Sequence, residues 1–118
     1  MSKESKALMK ELHSIIEHDI DDLVRCLQTK EGQIVKDELT EDDIKVLKTI
    51  SLTTEQTSVV RKLARATGRL IVFGILTMID GVSYVSTEIP DLALVNRETR
   101  EDIADQFLHD EFVKQSGD

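Results

Sequence analysis

Apolar residues in the first quarter of the chain fall at Leu8, Leu12, Ile15, Ile16, Ile20, Leu23, Val24 and Leu27, with charged residues between them. Spacing by threes and fours predicts an amphipathic helix over about 5–27. Gly32 is a suitable stop. The stretch 33–38 fits either one more helical turn or a chain crossing a groove. Thr40-Glu41-Asp42-Asp43 reads as a helix start: the threonine hydroxyl can accept from the amide three residues on, Asp43 can answer, and three acids face the positive end of the helix dipole. Ile44, Leu47 and Ile50 give this short second helix its apolar face. Thr53 with Gln56 repeats the capping signal, and Leu52 is placed as its hydrophobic staple.

A third long helix is predicted over about 54–79. Its first part is amphipathic, with Val59, Leu63, Ala66 and Leu70 opposite Arg61, Arg65 and Arg69. From Leu70 to Ile79 the apolar residues point all round, so this part must be surrounded, either by this chain or by a second copy. A buried strand is the rival reading because β-branched residues are frequent, but the helical period runs in without a breaker. Asp80-Gly81 ends the run. Weak alternation over 82–89, a Pro90-Asp91 turn and the apolar 92–95 predict a two-stranded β-hairpin. Thr99-Arg100-Glu101-Asp102 resembles a third helix start, followed by Ile103, Ala104, Phe107, Leu108 and Phe112 on one face.

The expected fold is therefore mainly α with a minor β part: a four-helix domain around a central apolar helix, with the hairpin before the last helix. At 118 residues the chain suits one domain, 1–118, with 1–4 and 115–118 expected to fray. Aromatic residues are only 3%, so Leu, Ile and Val must do the packing, and stacking platforms for bases are few. The apolar run is half the length of a bilayer span. Lysines and glutamates interrupt the N-terminal segment where a signal peptide would be apolar. These features place the chain in the cytoplasm, away from membranes.

The formal charge is −8, from 23 acidic and 15 basic residues. Such a surface repels nucleic acid and attracts basic partners. The single cysteine, Cys26, rules out an internal disulfide. Phosphate-binding glycine loops, Cys/His metal frameworks and nucleophile elbows are all missing, and no motif identifies a family. No cofactor is expected.

Four constellations could carry chemistry. Arg61, Lys62, Arg65 and Arg69 form a basic row suited to phosphate or carboxylate, though internal pairing with Glu11, Glu17, Asp21 or Glu55 is the ordinary explanation. Asp80 sits beside the core, near Ser83 and Tyr84, and its ordinary reading is turn chemistry. Glu17, His18, Asp21 and Asp22 crowd one helix patch and are weak metal-ligand candidates, more simply a solvated face. His109 lies beside the apolar face of the last helix, where hydrogen-bonded packing is usual.

The leading expectation for function is a small, non-enzymatic, acidic protein that occludes a basic protein partner, in the manner of an immunity protein or antitoxin. The alternative is a regulatory domain that takes an anionic small ligand on the arginine row. A metal-dependent hydrolase built on the Glu17/His18/Asp21/Asp22 patch ranks last. The surplus of apolar faces also raises a homodimer.

Overall fold

A computed structural model describes residues 2–81, 92–103 and 107–116, except for the side chain of Ser116. Its described residues form five helices: α1 (Lys3–Thr29), α2 (Gln33–Glu38), α3 (Glu41–Leu47), α4 (Thr54–Ile79) and α5 (Leu108–Ser116). The chain divides into two compact units, one of residues 1–14 with 68–118 and one of residues 15–67. Helices α1 and α4 each contribute to both.

The unit of residues 15–67 is built on the apolar stripe of α1. Ile16, Ile20, Val24 and Cys26 are buried, together with Val35 of α2. Gly32 turns the chain between α1 and α2 at φ 128°, in the region that favours glycine. A Cβ there would meet the Cys26 sulfur at 2.7 Å. Glycine at this corner thus serves both the backbone angle and the close packing of the thiol. The ambiguous 33–38 stretch is the short helix α2. Lys30 locks the end of α1 by donating from Nζ to the carbonyls of Leu27 and Ile50.

Both capping boxes form. The Asp43 amide donates to Thr40 Oγ1 at 3.1 Å and the Thr40 amide donates back to Asp43 Oδ2 at 3.0 Å. At the head of α4, the Gln56 amide donates to Thr53 Oγ1 at 3.0 Å and the Thr53 amide to Gln56 Oε1 at 2.8 Å. Each box satisfies donors that a helix start leaves open.

In the unit of residues 1–14 and 68–118, the core holds Met9, Leu76, Leu108 and Phe112. Ser2 caps α1 by accepting from the Ser5 amide at 3.0 Å, so that helix is already formed at Lys3, within the stretch expected to fray. His13 stacks on Phe112 with ring centres 4.0 Å apart and nearly parallel, and its Nε2 donates to the Phe112 carbonyl at 3.0 Å.

Three sequence expectations need correction. The first arm and turn of the β-hairpin lie outside the described residues, and the second arm, 92–95, is not a strand. Val95 instead makes one antiparallel bridge to Asp102. Second, the Thr99 start signal does not open a helix. Asn96 Oδ1 accepts from the amides of Glu98 and Thr99, turning the chain there, and Arg100 takes a positive φ of 65°. A side chain that bonds the local backbone competes with helix initiation. The last helix begins only at Leu108. Third, α4 is continuous to Ile79 as expected, but the described residues do not surround it: only Leu76 and Thr77 are buried along its length.

The α3 cap yields a pH prediction. Asp43 is held below the ordinary carboxylate range, first by the Thr40 amide and then by the Thr40 hydroxyl. A lowered pKa contributes stability that is fully present above the ordinary aspartate range and is lost as pH falls through the lowered value. Amide protection at Thr40, corrected for intrinsic exchange, should be constant at neutral pH and fall only in strong acid. Asp43→Ala should remove that protection at every pH.

Candidate functional site

The basic row is largely spent inside its own unit. Helical spacing sets Arg61 and Arg65 one turn apart on α4, and Asp21 and Glu17 one turn apart on α1. Arg61 Nη1 donates to Asp21 Oδ1 at 2.7 Å. Arg65 grips Glu17 with both arms of its fork, Nε to Oε1 at 2.6 Å and Nη2 to Oε2 at 3.1 Å. The Glu17 bond, with smaller contributions from the Glu17 and Asp21 charges, raises the Arg65 pKa further above its ordinary value. Pairing of 17 with 65 and 21 with 61 also means that these stretches of α1 and α4 run antiparallel. Lys62 is exposed. Arg69 belongs to the other unit, and its Nε is buried with no hydrogen-bond partner among the described residues.

The same pairing divides the weak metal patch. Glu17 and Asp21 face arginines, whereas His18 and Asp22 come together with Asp19. His18 Nδ1 lies 3.5 Å from Asp19 Oδ1 and 3.6 Å from Asp22 Oδ2. Ligand atoms of His18, Asp19 and Asp22 fall within 4.8 Å of one another. Asp22 also accepts from Arg25 Nη2 on its other oxygen, so its charge is already paired. Asp19 and Asp22 edge a shallow pocket of about 290 Å³ that also reaches Cys26 and Ile34.

Asp80 has a different task from the turn chemistry its sequence suggests. Its carboxylate reaches the start of α5, accepting from the Leu108 amide at 3.1 Å and the His109 amide at 3.0 Å. His109 Nδ1 donates to the same carboxylate at 2.5 Å. This acid thus replaces a local N-cap from 28 residues upstream and sits at the positive end of the α5 dipole. The pair is secluded, with 6% of the Asp80 side chain and 14% of His109 exposed. Phe73 meets the imidazole edge-on and Phe107 stacks beside it, each with ring centres 5.4 Å away. Nε2, on the other side of the ring, lies 3.5 Å from Asp110 Oδ1. Ser83 and Tyr84, expected near Asp80, lie outside the described residues.

An aspartate that orients an imidazole is one half of an acid–base apparatus. Among the described residues, the contacts of His109 are Asp80, Asp110 and two phenylalanines, with no hydroxyl or thiol against Nε2. The described geometry is that of a structural clamp on α5. Sequence reasoning marked Asp80 and His109 separately. Their union is a contact between residues 29 apart, for which no local pattern exists.

Glu111 was not foreseen at all. It is completely buried on α5, and neither carboxyl oxygen has a hydrogen-bond partner among the described residues. Its signal was its position: it falls one helical turn beyond Phe107 and Leu108, on the apolar side.

Comparison with protein-family models, curated proteins and solved structures finds no match to this chain. Function must be argued from its own residues.

Two variants test these assignments. Asp80→Ala strips two amides and an imidazole of their acceptor, and should cost about 1–2 kcal/mol, the usual range for a lost helix cap. Urea unfolding gives the loss, and hydrogen exchange should place it at Leu108 and His109. Glu111→Met keeps the volume while removing a buried, unpartnered carboxyl, and should stabilise the protein by about 1–3 kcal/mol in the same measurement.

Proposed function

We propose that this chain is a non-catalytic acidic protein that captures a basic protein partner, as immunity proteins and antitoxins do. One observation carries the reading. Residues 31–43 hold six acidic side chains and one lysine, and all six acids are exposed on or beside α2 and α3. Only Asp43 is committed to a helix cap, and Asp37 accepts only from Gln33 on its own helix. A dense, solvated field of one sign speeds encounter with an oppositely charged surface and repels wrong partners. The arginines of α4 reinforce this bias, because Arg61 and Arg65 are neutralised by Asp21 and Glu17 rather than offered to a ligand.

Capture of an anionic small ligand on the arginine row would first have to displace those two carboxylates. Among the described residues, no helix is long and apolar enough to cross a membrane.

The test removes charge from side chains that make no part of either capping box. Glu38→Gln, Glu41→Gln and Asp42→Asn together leave both capping boxes intact. Immobilised wild-type protein is expected to retain a basic partner from lysate of its own cells at low salt and release it at high salt. The triple variant should associate roughly tenfold more slowly with that partner. Failure of the wild type to retain any basic protein at low salt, or equal association by both forms, removes the basis of the proposal.

A further inference from the structure

We propose that a cavity between the end of α1 and the start of α4 binds a small amphipathic anion, a carboxylate on a compact apolar body. The inference is independent of basic-partner capture, since none of the acids of residues 31–43 lines the cavity. All of its lining lies within the unit of residues 15–67. Its volume of about 360 Å³ falls in the range of about 300–1,000 Å³ usual for small-ligand sites.

The cavity arises where three helices end or begin. Helix α1 stops at Thr29, α3 stops at Leu47 and α4 starts at Thr54. The connection 48–53 is tied to the end of α1 by the Lys30 ammonium, which donates to the Ile50 carbonyl.

The charge of the wall has one sign. Among the described residues that line it none is Asp or Glu, in a chain with 23 acidic and 15 basic residues. Two lysines line it instead, Lys30 and Lys48. Arg25, Arg61 and Arg65 of the same unit are each paired with a carboxylate. Among the described residues, neither lysine has such a partner. Lys30 takes a positive φ of 62°, where glycine is the usual residue at a helix end. Its ammonium donates to the carbonyls of Leu27 and Ile50. An ammonium carries three N–H donors, so one remains while the two carbonyls fix where the charge sits. Lys48 is exposed, and its side chain makes no described contact.

Ser51 adds uncharged donors to the same wall. Its amide and its hydroxyl bond no other described residue. An ionised carboxylate only accepts hydrogen bonds, and ammonium, amide and hydroxyl can all donate to one. Bonds to an ionised partner are the stronger kind. Another part of the wall is apolar, from Val24, Leu27 and Leu52. Val24 is buried, whereas Leu27 and Leu52 are half-buried and keep apolar surface that a ligand can remove from water. An inorganic anion would leave that surface wet. An uncharged apolar molecule would leave the lysines unanswered. An amphipathic anion satisfies both.

Hexanoate is the probe, titrated into the full chain at constant ionic strength and followed by amide NMR. Saturating shifts should cluster at Leu27, Lys30, Ser51 and Leu52, with a dissociation constant on the order of millimolar. Acetate lacks the apolar body and hexanol lacks the charge, so each should bind at least about tenfold more weakly. Lys48→Gln should weaken hexanoate binding about fivefold, through loss of one exposed charge contact. Lys45→Gln makes the same charge change on α3 outside the cavity and should leave the affinity unchanged. Neither lysine side chain makes a described contact, so both variants should fold like the wild type. Shifts that fail to saturate or fall elsewhere, acetate or hexanol bound as tightly as hexanoate, or a Lys48 variant that loses no more than the Lys45 variant overturn the inference.

Discussion

Much of the structure depends on one constraint: a single stripe on α1 supplies most of the buried apolar surface. Of the nine hydrophobic residues buried among the described ones, Met9, Ile16, Ile20, Val24 and Cys26 belong to α1. Helix α4, with the most apolar sequence, supplies Leu76 alone. Three phenylalanines and one tyrosine in 118 residues leave few large side chains to thicken a core. Polar contacts therefore supplement the apolar packing in both units. Arg65 on Glu17 and Arg61 on Asp21 join α4 to α1 in one unit, while Asp80 holds the start of α5 in the other.

These fastenings differ in strength for a physical reason. The arginine pairs are partly exposed, and water and salt screen them, so their contribution lies more in register than in stability. Arg65 is the better placed of the two because its fork matches both carboxylate oxygens. The Asp80 clamp is nearly dry, and its three donors leave no competing role for water. Leaving such donors without an acceptor would cost more than the clamp itself contributes, which makes Asp80 structurally hard to replace.

How much of this was legible in the sequence depended on the range of the interaction. The extent of α1 and α4 and both capping boxes follow from neighbours within four residues, and the structure reproduces them, although Ile15 of the α1 stripe is exposed and Met9, outside it, is buried. Thr99 shows where local reading fails: its start signal was sound, but Asn96 three residues earlier made a competing turn. Arg61 and Arg65 stood between two readings because their carboxylates lie 40 and 48 residues away. The Asp80–His109 contact had no local trace. For Asp80, turn propensity was the right prior for a free Asp-Gly pair and lost to an unfilled helix start elsewhere in the chain. Buried Glu111 was hidden by its residue type, which is ordinarily assigned to the wet side, although its place in the period lies on the apolar face.

The apolar segment 70–79 carries the deepest lesson. Its sequence says that it must be surrounded, and that rule concerns free energy, not the boundaries of one chain. The described structure meets the rule only at Leu76 and Thr77. Leu70, Ile71 and Ile75 face outward beside Gly74, whose open side no described residue fills. A sequence under selection only for solubility would place lysines or glutamates at these positions, as this one does along α2 and α3. Charge has instead been kept off one face of α4 and concentrated on residues 31–43. The exposed apolar side chains of α4 and the exposed acids of α2 and α3 thus lie on different helices.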